Sequence, residues 1–348
     1  MSSMSVWRIA LLFVATAFLA AAYAAANAPK KAAKEVRIQL GVGHFNSAGK
    51  AFHYWDKEKE IPAVCARCHS ANGVAQYLKE GRNTPAPHLK TGLACSTCHA
   101  DLGTFERHRV EKVTFASGRS VDTGSNDMNL CMTCHQGRES KASVDKAIAG
   151  MAPDTPNPKL GFVHVHYFPA GAMKYGSEAK VGYEYEGKSY AGRFGHVPAL
   201  DSCTSCHDPH SGELQEEKCG QCHRDRRGGE GKAHIVDDYK KDLYAAIQQY
   251  ARNVGGTSIA FSPEAYPYWY ADTNGSGQID PEELKPDNAY KAYTPRLVQA
   301  VYNYTFALRD PGAGYHNARY ATQLLYDSLE SLAQSGKAGI SMRGKERP

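Results

Sequence analysis

The sequence predicts a mainly α fold with long loops and little β, in which a lean N-terminal part precedes a more helical C-terminal one. Three observations lead there. The first is composition: 348 residues nominally allow two domains, yet 32 Gly, 17 Pro and 21 Tyr, with a mean hydropathy of −0.51, are poor material for two aliphatic cores. The second is periodicity, which turns helical only after residue 235, in "DDYKKDLYAAIQQYARNV", "PRLVQAVYNYTFALRD" and "NARYATQLLYDSLESLAQSG". The third is that all ten cysteines precede that point and come in pairs of one spacing.

Each pair reads C-x-x-C, and each is followed at once by histidine. They are Cys65 and Cys68 before His69, Cys95 and Cys98 before His99, Cys131 and Cys134 before His135, Cys203 and Cys206 before His207, and Cys219 and Cys222 before His223. A zinc ribbon needs four ligands about one ion and is indifferent to the residue after each pair. Covalent haem attachment is not indifferent, because two thiols add across the porphyrin vinyl groups and the adjacent histidine becomes the proximal iron ligand. Five motifs that use every cysteine leave none for a disulfide, so five c-type haems are expected. Five porphyrins would also supply the apolar mass that the composition lacks.

Thioether attachment is completed outside the cytoplasm, and the N-terminus agrees with export. Arg8 precedes the apolar run "IALLFVATAFLAAAYAA", and A-x-A sites follow at Ala22-Tyr23-Ala24 and Ala26-Asn27-Ala28. Residues 1–28 are therefore expected to be a cleaved signal peptide, 29–235 a pentahaem domain, and 236–348 a helical C-terminal part docked on it. No later segment is apolar enough to span a membrane, so a periplasmic or extracellular location is expected. The formal charge of +5 misleads: losing Arg8 and gaining two propionates per haem makes the loaded protein mildly acidic. With no basic run and no nucleic-acid signature, a nucleic-acid partner is not expected.

Along the chain, "HFNSAGKAFHYWDKEKEIP" reads as a short helix, and "FVHVHYF" alternates like a strand with His164 and His166 on one face. "GYEYEGKSYAGRFGH" reads as a Gly/Tyr-rich loop or hairpin ending at His196, while Asn317 is a plausible N-cap for the last helix and Gly336 its stop. Six-coordinate iron needs a second axial ligand, and ten histidines lie outside the motifs. His210, three residues past a proximal ligand in Cys-His-Asp-Pro-His, is too close for its own haem but well placed for a neighbour. His316, His44, His166 and His196 are the other leading distal candidates; His53, His88, His108, His164 and His234 rank below them.

The run of CxxCH motifs, the C-x-x-C-H-x-P-H element followed closely by another CxxCH, and the tail "DPGAGYHNARYATQLLYDSLESL" resemble multihaem c-type cytochromes exported by anaerobic metal- and sulfate-respiring bacteria. Residues 203–223 resemble the doubled-CxxCH family. The resemblance implies closely packed, low-potential bis-histidine haems, with His210 serving a neighbouring haem and His316 a distal ligand from the tail. It implies electron transfer in anaerobic respiration, as a carrier or conduit and not an enzyme. Redox partners would be other cytochromes, a quinol dehydrogenase or an outer-membrane conduit. The other function class is a terminal reductase of nitrite, hydroxylamine or sulfur oxyanions with one open haem, although the CxxCK motif usual at the active haem of ammonia-forming nitrite reductases is absent. Oligomerisation, or assembly into a haem filament, is a further alternative.

The long C-terminal part departs from the smallest members of that family, and it holds a second pattern. "DTNGSGQIDPEE" matches the twelve-residue calcium loop, with Asp272, Asn274, Ser276, the Gln278 carbonyl, Asp280 and Glu283 as ligands and Gly277 at the turn. Its flanks are poor helices, so one structural Ca²⁺ is expected in place of a sensor pair.

One outcome follows for the motifs. Colour should survive acetone extraction, and the intact mass should exceed that of the apoprotein by five haems; zinc in their place would contradict the motif reading.

Overall fold

The structure, a computed structural model, describes residues 43–46, 49–88, 92–223 and 230–348, with the side chains of 230–232 left aside. The expected signal peptide at 1–28 lies outside the described residues. The helices are α1 (Lys50–His53), α2 (Ala63–His69), α3 (Gly73–Glu80), α4 (Cys95–Cys98), α5 (Asn126–Met132), α6 (Lys141–Ile148), α7 (Ala170–Ala179), α8 (Cys203–Cys206), α9 (Glu216–Cys219), α10 (Glu230–Tyr250), α11 (Pro295–Arg309) and α12 (Ala313–Ala333). Among the described residues, strand is confined to three two-stranded antiparallel ladders: β1 (Glu60–Ile61) with β2 (Ala86–Pro87), β3 (Val113–Thr114) with β4 (Ser120–Val121), and β5 (Ile259–Phe261) with β6 (Trp269–Ala271). The fold is thus mainly helical with long loops, as expected, and its long helices are the three at the C-terminus.

Those three pack on one another and on α7 because each carries an apolar stripe. Leu243, Ile247 and Tyr250 of α10 are buried, as are Leu297, Val301 and Phe306 of α11 and Tyr320, Leu324, Leu325 and Leu332 of α12. Thr294 caps α11 by accepting from the Leu297 N–H at 3.2 Å, and Pro295 follows at the first helical position, where a missing N–H costs nothing. Asn317 behaves as the expected cap: its backbone is extended (φ −166°) and its side-chain oxygen accepts from the Tyr320 N–H at 3.1 Å. One turn of helix, carrying His316, lies before it.

Two expectations are corrected. "FVHVHYF" is not a strand: it has no ladder partner, and His166 (φ +80°) and Phe168 (φ +51°) take left-handed backbone that breaks the alternation. The stretch before the first motif is not one helix but a 3₁₀ turn at Gly43–Phe45 followed by the single turn α1.

The loop 180–191 is held on α11 and α12 by buried polar groups. Asn303, fully buried, accepts from the Tyr183 N–H at 2.8 Å and donates to the Tyr183 carbonyl at 2.9 Å and to Ser328 Oγ at 3.0 Å. Asn303→Leu removes both partners of a buried peptide group, so it should destabilise the protein by about 2–5 kcal/mol, read as a lower denaturant midpoint with an unchanged slope.

Candidate haem sites

Each motif lies on a single helical turn, and the reason is spacing. Positions i, i+3 and i+4 share one face of a helix, so both thiols and the histidine point the same way. The i to i−4 bond closes that turn: the N–H of His99 donates to the Cys95 carbonyl, His207 to Cys203 and His223 to Cys219, all at 2.9 Å, and His135 to Cys131 at 3.1 Å. Ser202 Oγ starts one such turn by accepting from the Ser205 N–H at 3.1 Å. None of the ten cysteines is in a disulfide.

Every motif histidine faces one other imidazole. Ring centroids are 5.9 Å apart for His69 and His166, 6.4 Å for His99 and His210, 6.0 Å for His135 and His44, 6.2 Å for His207 and His316, and 6.3 Å for His223 and His196. No histidine is used twice. Two imidazole nitrogens each about 2 Å from one metal ion and on opposite sides of it put their centroids about 6–6.5 Å apart. Ring planes are parallel in the His99 pair (2°) and nearly perpendicular in the His69 pair (83°).

Hydrogen bonds set the tautomer. A carbonyl can only accept, so a ring Nδ1 bonded to one carries the proton and leaves the Nε2 lone pair for a metal. Nδ1 of His69 donates to the Ala51 carbonyl (3.2 Å), that of His99 to Phe105 (2.7 Å), that of His135 to Phe168 (3.0 Å) and that of His44 to Pro209 (3.1 Å). His316 Nδ1 instead faces the buried Asp310 carboxylate at 2.8 Å.

The surroundings fit an apolar disc at each pair. Large side chains left exposed adjoin the motifs: Val64 (74 % exposed) precedes Cys65, Phe105 (60 %) lies by His99, Phe168 (53 %) by His135 and Leu214 (58 %) opposite His207. Isolated apolar side chains need no explanation, but four at four motifs share one cause if each covers a porphyrin face.

The lower-ranked histidines are otherwise engaged or set apart. His53 pairs with Asp56 at 2.7 Å, His88 donates to the Phe52 carbonyl, and His108 Nε2 donates to the Ser96 carbonyl at 2.9 Å. His234 is exposed. His164 is packed among Phe162, His166, Tyr167 and Tyr268, and burial, with Arg309 nearby, pushes it down to about 3. Sequence reasoning missed Ala51, Phe105, Phe168, Pro209 and Asp310; backbone acceptors leave no side-chain signal.

The motifs also touch each other. Cys68 Sγ lies 4.0 Å from the Thr133 carbonyl, beside Cys134, and α5, which ends within the third motif, packs on α8, which carries the fourth. The first, third and fourth motifs are therefore neighbours.

In the calcium-type loop, Asp272 Oδ1 accepts from the Ser276 N–H at 3.1 Å and Oδ2 from Gly277 at 2.9 Å, and Gly277 turns the chain at φ +82°. Burial raises the Glu283 carboxyl, but donors from Thr273, Asp280 and Asn274 outweigh it and hold the group below the usual carboxylate range. Among the described residues, no three His, Cys, Asp or Glu side chains converge as a metal-holding group.

No protein-family model matches the chain, and no solved structure matches it. Among curated proteins it is 27 % identical over 377 aligned residues to the C-type polyheme cytochrome OmcB of Geobacter sulfurreducens, covering 89 % of this chain and 48 % of that protein. It is 27 % identical over 389 residues to the C-type polyheme cytochrome OmcC of the same organism (90 % and 48 %), and 25 % identical over 183 residues to the multiheme cytochrome MtrA of Shewanella baltica (47 % and 53 %). The chain spans about half the length of the curated relatives it matches. It is similar, over most of its own length, to proteins named as multihaem c-type cytochromes.

Proposed function

We propose that this chain is an exported electron-transfer protein carrying five covalently bound c-type haems, each with two axial histidines. The observation that carries the reading is the one-to-one pairing of imidazoles: His69 with His166, His99 with His210, His135 with His44, His207 with His316, and His223 with His196. The thiols at each motif would hold the porphyrin edge, and the paired Nε2 atoms its iron. Bound haem supplies one-electron chemistry at low potential, because two imidazoles favour the ferric state more than histidine with methionine.

The same pairing favours a carrier or conduit over a terminal reductase. A reductase keeps one iron face open for substrate, whereas here every motif histidine has a partner ring. The first motif lies against the third and the third against the fourth, which argues for edge-to-edge haems in that order. The second and fifth adjoin the fourth, since His210 follows His207 by three residues and the fifth motif begins at Cys219. Donor and acceptor would be other redox proteins: a cytochrome, a quinol dehydrogenase or an outer-membrane conduit. A filament or other oligomer of such chains would extend the same wire.

We infer in addition one structural Ca²⁺ in the loop of Asp272, Asn274, Ser276, Gln278, Asp280 and Glu283. Asp272 spanning the turn at Gly277, with Glu283 reaching back to the Thr273 N–H, supports it.

Low-temperature EPR of the ferric protein tests the haem reading. All five irons should be low-spin, with the perpendicular His69 pair giving a more anisotropic signal than the parallel His99 pair. His210→Met and His316→Met should each move a single wave of the redox titration upward. A high-spin signal worth one haem in the native protein would instead favour the reductase.

Calcium has its own test. A ligand bound only by the folded state adds RT ln(1 + [L]/Kd), roughly 2.7 kcal/mol at a hundredfold excess. Chelation should lower the unfolding temperature of the native chain but not that of Glu283→Gln; equal effects on both would remove calcium from the loop.

A further inference from the structure

Arg309, the last residue of α11, is the group the reading above leaves unexplained. Its guanidinium lies 4.2 Å from the Tyr167 ring centroid, 4.5 Å from Tyr268 and 5.7 Å from Phe261. Aromatic faces attract the cation but offer no acceptor in its plane. Nε and Nη2 are buried and have no hydrogen-bond partner among the described residues. None of the ion pairs found among those residues includes Arg309; the adjacent Asp310 is taken by His316. Its backbone is fixed too, since its carbonyl accepts from the Phe168 N–H at 3.0 Å. A guanidinium with two buried nitrogens left without an acceptor is costly unless a strong acceptor meets it, and the planar fork suits a carboxylate.

The acceptor's position follows from the neighbours. Tyr167, which Arg309 stacks on, follows His166 directly, and His166 faces His69. Arg138 Nη1 is 4.0 Å from Cys65 Sγ and so lies at the thioether edge of this haem site. A c-type haem presents its two propionates at the edge away from its thioethers. His164 Nε2, 5.8 Å in ring separation from His166, is likewise buried without a partner.

We propose that Arg309, held in the slot of Tyr167 and Tyr268, is the propionate clamp of the haem attached at Cys65 and Cys68. It pairs through its free N–H groups with one carboxylate of that haem and raises the potential of that haem above what bis-histidine ligation alone would set. The inference rests on the haem reading. It goes further in assigning an ion pair and a tuning role to a residue outside every motif. The shared ligand chemistry is a carboxylate, and a free anion in the same slot is the other source.

The test is a redox titration of the holoprotein in wild-type, Arg309→Met, Arg309→Gln and Arg309→Lys forms, with haem content read by intact mass. Removing a cation beside a reducible centre disfavours the added electron. One wave should therefore move down in the Met and Gln variants, four should stay, and Lys should return part of the shift. The moving wave should be the one that His166→Met moves up. Five haems by mass with no wave displaced in either neutral variant would overturn the clamp and leave the haem reading standing; fewer than five in the wild type would remove both. Acetate added to the wild type at constant ionic strength should leave that wave in place. A shift that titrates with acetate would assign the slot to a free anion and overturn the propionate.

Discussion

The arrangement depends on holding two imidazoles about 6 Å apart, ring to ring, with Nε2 left free of a proton wherever Nδ1 is tied to an acceptor. A histidine side chain has two soft torsions and two chemically different nitrogens, so proximity alone does not do this. The structure ties Nδ1 to an acceptor instead: Ala51, Phe105, Phe168 and Pro209 carbonyls for His69, His99, His135 and His44, and the Asp310 carboxylate for His316. Each bond sets a tautomer and a ring orientation in one step. Three of the four carbonyls, those of Phe105, Phe168 and Pro209, lie in loops, where a carbonyl is not committed to a helix or ladder partner, and Ala51 belongs to the single turn α1.

That choice leaves the loops without regular structure to hold them, and the C-terminal helices supply what is missing. α10, α11 and α12 bury most of the large aliphatic side chains, and the loops are pinned on that platform by polar contacts such as Asn303 with Tyr183 and the Phe168 N–H with the Arg309 carbonyl. His316 and Asp310 come from the junction of α11 and α12, so the same platform contributes directly to one imidazole pair. Stability and site geometry are thereby linked: loosening the helices would loosen the loop that carries His164, His166 and Phe168.

The shared segments bear on the proposed electron transfer. The stretch 207–210 carries the motif histidine His207, the carbonyl that orients His44, and His210, which faces His99. The stretch 166–168 faces His69 with His166 and orients His135 through the Phe168 carbonyl. Short chain segments serving two or three pairs each keep the pairs close. On the proposed ligation, this closeness is what moves electrons, with no moving part.

The pattern on which the proposed attachment rests is legible in the residues themselves. C-x-x-C-H is a local pattern whose geometry is complete within one helical turn, so five thiol pairs and five histidines could be read without any knowledge of the fold. The C-terminal helices were also legible, since a 3.6-residue apolar period survives in sequence, and so was the Asn317 cap. The partner of each motif histidine was not. His166 lies 97 positions from His69 and His316 109 from His207, separations that no local pattern encodes. The chain offered ten free histidines for five places, and only tertiary structure set five rings opposite the motif rings while committing His53, His88 and His108 to other acceptors. The strand reading of 162–168 failed for the same reason: alternation is an intrinsic preference, but a strand needs a partner, and here the backbone turns to aim His166 and the Phe168 carbonyl instead. Chemistry confined to one turn is written in the sequence, while chemistry that needs two distant turns to meet is decided by the packing that brings them together.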